Sequence, residues 1–88
     1  MRNEAKIGDY VKVSWLDTVH KDDLSLAEAK QLKPSKSISY GKLIWLDDDC
    51  VVVAGTIFPD DEGDEYRDVS SIPRSIVSKI VRLKEVKL

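Results

Sequence analysis

Ser39-Tyr-Gly-Lys-Leu-Ile-Trp-Leu46, Asp47-Asp48-Asp49 and Cys50-Val-Val-Val-Ala-Gly-Thr-Ile57 follow one another without a break. Two apolar arms, rich in β-branched and aromatic residues, flank a turn made only of carboxylates. Such side chains suit the pleated, half-buried surface of a sheet, and Asp favours turns because its carboxylate bonds the local backbone. The stretch therefore predicts a β-hairpin. Just before it, Ile38 and Tyr40 share a face; after Gly41, Leu43 and Trp45 resume the alternation one position out of phase. A lone strand glycine at a phase slip predicts a bulge or sharp bend at Gly41. A small barrel needs such a bend, because one long strand serves both of its sides.

Working outward, Ile7-Gly8-Asp9 gives a turn and Tyr10–Leu16 alternates cleanly. Val11, Val13 and Trp15 point to a core, with Lys12 and Ser14 opposite. Residues 17–36 are polar and contain Ser25-Leu-Ala-Glu28, the spacing of a capping box. About two helical turns can follow before Pro34 stops them. An isolated helix so short is marginal in water. The segment is either a helical turn pinned by Leu24, Leu26 and Leu32 or a mobile loop. A second strand starts near Ser37 and a third, Cys50–Phe58, ends at Pro59. Asp60–Glu65 forms a turn around Gly63, and Tyr66–Ser71 a short fourth strand. Ile72-Pro-Arg-Ser75 is a tight turn with one turn of 3₁₀ helix. Ile76–Leu83 carries both helix spacing and a strongly β-branched composition, and the second favours a fifth strand.

The 88 residues fit a single domain, 1–88, with 17–36 as a loop or short-helix insertion. A chain this short buries only about 60% of its unfolded surface, which leaves room for one modest core and no deep catalytic cleft. The net charge of −2 is unevenly spread: residues 47–68 hold nine acids and one Arg, whereas 69–88 hold five Lys/Arg and one Glu. Acidic turns between strands explain most of that pattern. Cys50 is the only cysteine, so no intrachain disulfide forms, and its place at the head of an apolar run predicts a buried thiol. Met1–Lys6 lacks the apolar stretch of a signal peptide. No run approaches the roughly 18 apolar residues of a membrane helix. A cytoplasmic, reducing setting without a membrane partner is expected.

Three stretches together resemble a known architecture: Gly8-Asp-Tyr-Val-Lys-Val13, Gly41-Lys-Leu43 in the bent second strand, and Ile72-Pro-Arg-Ser-Ile76 before the last. Their arrangement is similar to the Src-homology-3-like and Sm-like small barrels, and to small barrel proteins of bacterial and phage genomes. The resemblance implies an all-β, five-stranded, strongly bent barrel with a short helical turn or loop after the first strand. In the Sm-like family, RNA is gripped by an Asp-x-x-x-Asn stretch after the second strand and an Arg/Lys-Gly pair before the last. Here Asp47–Asp49 leads into Cys50 and Val51 with no Asn, and the later turn reads Pro73-Arg74-Ser75.

Signs of catalysis are sparse. His20 is the only histidine, so no two-histidine metal site forms, and a loop histidine is a poor partner for a strand cysteine. Asp60–Glu65 has charge for a hard cation but not the alternating ligand register of a calcium loop. Gly8, Gly41, Gly55 and Gly63 are isolated, so no phosphate cradle is suggested and no cofactor is implied. The expected role is non-catalytic binding, with a protein or a second copy as partner. The candidate surface is Tyr10, Trp45, Tyr66, Arg74, Lys79 and Arg82, and peptide-binding barrels use aromatic grooves of this type. The second reading is Sm-like binding of RNA or single-stranded nucleic acid, for which aromatic platforms and basic residues are the requirement.

Overall fold

The computed structural model describes residues 5–84. Five antiparallel strands form one sheet: β1 (Tyr10–Asp17), β2 (Ser35–Leu46), β3 (Cys50–Phe58), β4 (Glu65–Pro73) and β5 (Val77–Arg82). One short helix, α1 (Leu26–Ala29), lies between β1 and β2, and a 3₁₀ turn, Arg74–Ile76, joins β4 to β5. Across the sheet the order is β4-β3-β2-β1-β5, so β1 to β4 form a meander and β5 returns to lie beside β1. The β-branched character of 76–81 prevails over its helix spacing, because β1 offers an unpaired edge for it.

The connection from β4 to β5 forces curvature. Those strands occupy opposite edges, four inter-strand steps apart, or roughly 19 Å across a flat sheet. Pro73 and Val77 are joined by a three-residue 3₁₀ turn, and four Cα steps span at most about 14 Å even when extended. The sheet therefore curls until its two edges approach at this end, yet β4 and β5 do not pair.

At Gly41 β2 crosses close to β3. A Cβ there would stand 2.5 Å from the Ala54 carbonyl oxygen and 3.0 Å from its carbon, so only glycine lets β2 pass so close to β3. The phase slip itself lies elsewhere. Register with β1 runs unbroken through Gly41, from Tyr10↔Lys42 to Asp17↔Ser35, and the irregularity falls between Leu43 and Trp45, opposite Val53 and Val52. Ile38 and Tyr40 are thus exposed, Leu43 is buried, and Trp45 returns to the exposed side.

One face of the sheet carries the core: Val11, Val13, Leu43, Val51, Val53 and Ile72, with Trp15, Leu46, Ile76, Val77 and Ile80 packed against it. Each such Val or Leu contributes roughly 1.5–3 kcal/mol relative to exposure. Trp15 adds a hydrogen bond from Nε1 to Ser39 Oγ at 3.0 Å, satisfying its one polar atom. Cys50 is only half-buried and stands outside the core cluster, in contrast to the expected core thiol. At the first residue of β3, beside Pro73, it precedes the buried part of the strand.

The insertion after β1 folds as its sequence indicates, but for one turn rather than two. The Glu28 amide donates to Ser25 Oγ and the Ser25 amide to Glu28 Oε1, closing the capping box. Bonds tighten to i→i+3 at Gln31 and Leu32. Leu26 is 72% exposed and no residue of α1 is buried, so nothing extends the helix. At the other side of the sheet, β3 has no β2 neighbour beyond Ala54 and continues with β4 as a two-stranded arm. Asp68 takes a left-handed φ of 55° where the arm leaves the body. Opposite it Gly55 has no Cβ to spare, since one would meet Asp68 Cβ at 3.2 Å.

Candidate binding surface

Residues directly opposite each other in an antiparallel pair share a face, so the register defines the side of the sheet away from the core. Tyr10 pairs with Lys42, Lys12 with Tyr40, and Ser14 with Ile38. On the far side of β1, Val81 stands beside Lys12 and Lys79 beside Ser14. Across β1 and β2 the tyrosines and lysines alternate like squares of a checkerboard, and Trp45 with Val52 continues the apolar side toward β3. Tyr10, Ile38, Tyr40 and Trp45 are each more than half exposed. Side chains this large, held on a ladder and left wet, form an exposed apolar surface.

The surface residues expected from sequence divide among three places. Tyr10, Trp45 and Lys79 lie on this outer face. Tyr66 pairs with Ile57 on the arm, and by alternation along β3 it belongs to the core side, beyond the core itself. Arg82 pairs with Val11 and so stands at the rim of the core side, exposed. Arg74 is engaged in the fold: its amide donates to the Asp49 carbonyl at 2.8 Å and Nη1 to the Asp47 carbonyl at 2.9 Å. It clasps the β2–β3 turn to the β4–β5 turn. Lys12, Ile38, Tyr40 and Lys42 were not among the expected site residues. Alternation in β1 put Lys12 outward, but only the β1–β2 register reveals that it meets Tyr40.

The β2–β3 turn is built around Asp47. Oδ1 accepts from the amides of Asp49 and Cys50 at 2.8 and 2.9 Å, and Oδ2 accepts from Trp45 Nε1 at 2.7 Å. The indole bond first, then the two amides, hold this carboxyl down at about 2 from the ordinary 3.8. Trp45 is thereby fixed in orientation while more than half exposed. The chain matches no protein-family model, no curated protein and no solved structure.

Among the described residues, two grooves lie at opposite ends of β1. One of about 360 Å³ lies between the insertion and the 3₁₀ turn, lined by Leu16, Val19, Leu32, Pro34 and Ile76. The other, of about 580 Å³, runs beside Tyr10, Arg82, Leu83 and Lys84. His20 Nε2 lies 3.1 Å from Asp22 Oδ1 on an exposed loop. Among the described residues no three His, Cys, Asp or Glu side chains converge as metal ligands. Among the described residues no helix is long and apolar enough to cross a membrane.

Proposed function

We propose that this chain is a non-catalytic binding module that acts through protein–protein contact or self-association across the outer face of its sheet. The observation that carries the reading is the exposure of Tyr10, Ile38, Tyr40 and Trp45 on paired strands, with Lys12, Lys42 and Lys79 interleaved among them. Exposed aromatic residues grouped on one face are the enriched component of protein interfaces. Strand order, the Gly41 crossing and the short β4–β5 link support a bent barrel of Src-homology-3-like or Sm-like type. The lone free thiol fits a cytoplasmic setting.

A second reading, single-stranded nucleic acid, has one observation in its favour: each outer tyrosine faces a lysine across the β1–β2 ladder, as stacking platforms with phosphate contacts require. Two measurements separate the readings. Sedimentation and pull-down with the Tyr40→Ala/Trp45→Ala variant should show loss of association while circular dichroism stays unchanged. A labelled oligothymidylate should leave the chain unbound at about 50 mM salt; binding that weakens steeply with salt would replace the first reading by the second.

A further inference from the structure

We infer that the outer face takes the acidic β3–β4 arm of a second copy of this chain. The inference rests on the reading of that face as a protein-binding surface and names its occupant. Across β1, β2 and β5 the outer positions are Tyr10, Lys12, Ser14 and Leu16, then Lys36, Ile38, Tyr40, Lys42 and Trp45, then Lys79 and Val81. No acid is among them. The arm is the complement. Its tip, Asp60-Asp-Glu-Gly-Asp-Glu65, is fully exposed and carries five carboxylates in six residues. Behind the tip, Phe58, Tyr66 and Val69 are 45%, 37% and 49% exposed. Arg67 lies over the Phe58 ring at 4.7 Å and touches Glu65 at 3.3 Å, so the arm's one basic residue is already engaged.

A two-stranded ribbon is marginal in water unless a face of it is covered, and β4 is exposed from Glu65 through Ser71. The arm cannot cover its own sheet. Its pairing keeps one register from Cys50↔Pro73 to Phe58↔Glu65, interrupted at Gly55 and Asp68, and a fold back over the sheet would have to reverse both strands there. A neighbouring copy has no such constraint. Phe58 and Val69, which share the outer side of the arm, then meet Tyr10, Tyr40 and Ile38 while the carboxylates meet Lys12, Lys42 and Lys79. Such a contact joins two different patches and so propagates head to tail, as a ring if the rotation closes and as an open chain if it does not. A nucleic acid on the same face would have to approach past nine acids in residues 47–68, and it is the less favoured occupant.

Sedimentation velocity on the full chain tests this. Association is expected at about 0.1 M salt and reversal toward monomer at about 1 M, as the Debye length falls from about 10 to 3 Å. Two neutralised variants follow: Lys12→Gln/Lys42→Gln/Lys79→Gln on the face, and Asp60→Asn/Asp61→Asn/Glu62→Gln on the arm. The arm variant spares Asp64, whose Oδ1 accepts the Asp60 amide. Each variant alone should be a folded monomer by circular dichroism. Their equimolar mixture should give a heterodimer and nothing larger, because one intact arm and one intact face remain. A wild-type chain that stays monomeric, or association indifferent to both variants, overturns the inference. If that monomer binds a poly-glutamate peptide through the three lysines, self-docking fails and the protein-binding face stands. If the lysines instead serve only an oligothymidylate, both fail.

Discussion

Replacing Gly41 by alanine should cost this protein a large share of its stability, and the structure allows the cost to be worked out. A Cβ at this position meets the Ala54 carbonyl oxygen at 2.5 Å, whereas ordinary contact begins at 3.4 Å, so about 0.9 Å of separation is needed. The obstacle is backbone inside a ladder, where Lys42 pairs with Ala54, and it cannot swing aside as a side chain would. Overpacking of this kind costs about 1–3 kcal/mol, and loosening the adjacent ladder bond adds about 1 kcal/mol. Lower entropy of the unfolded chain returns at most about 1 kcal/mol. The net loss of about 1–3 kcal/mol should lower the melting temperature by about 5–20 °C at this chain length. Circular dichroism during heating and urea titration gives the measurement. Gly55→Ala is the internal comparison: its closest approach is 3.2 Å, to the Cβ of exposed Asp68, and about 1 kcal/mol is expected. A Gly41→Ala protein melting within about 2 °C of its parent would refute the close crossing.

Leu43→Ala removes a completely buried side chain from the centre of a small core and should cost about 3 kcal/mol, read as a lower urea midpoint at constant slope. Because the Asp47 carboxyl is held at about 2 rather than 3.8, the native state binds fewer protons than the unfolded chain between those values. Its contribution is therefore complete above pH 3.8 and disappears as pH falls through about 2, and the Trp45 indole N–H resonance should titrate there, a transition that Asp47→Asn abolishes. Ser25→Ala opens the capping box, worth about 1 kcal/mol to the turn it closes. Since α1 buries no residue, amide exchange over 25–32 should quicken while global unfolding shifts by less than about 0.5 kcal/mol.

Much of this fold was legible in the residues, and the failures have physical causes. The third strand matches its expected limits, Cys50–Phe58, because an acidic turn and a proline bracket it. The capping box was written in four letters. Gly41 announced a bulge or bend, whereas the structure gives it a close approach to Ala54 and puts the register slip after Leu43. That slip lies within Leu43-Ile-Trp-Leu46, where four successive apolar residues erase the alternation that would have revealed it. Trp45 is turned outward by the same bulge, and Asp47 then binds its indole. The checkerboard of tyrosine and lysine was invisible for a different reason. It is a property of two strands in register, and the register across a long insertion depends on the whole sheet. Arg74 shows the converse: as one of several basic residues near a turn it suggested a ligand contact, while the curl of the sheet gives it a clasp to make.

The return of β5 to β1 also has a consequence for synthesis on the ribosome. Val11 finds its partner Arg82 across 71 positions of chain, so the meander β1 to β4 can pair while one side of β1 still waits. Throughout that interval an edge of alternating Val11, Val13 and Trp15 is open to any other nascent strand. Chains halted before Val77 keep that edge permanently. Such truncated products should therefore aggregate, and β5 acts as the seal on that edge.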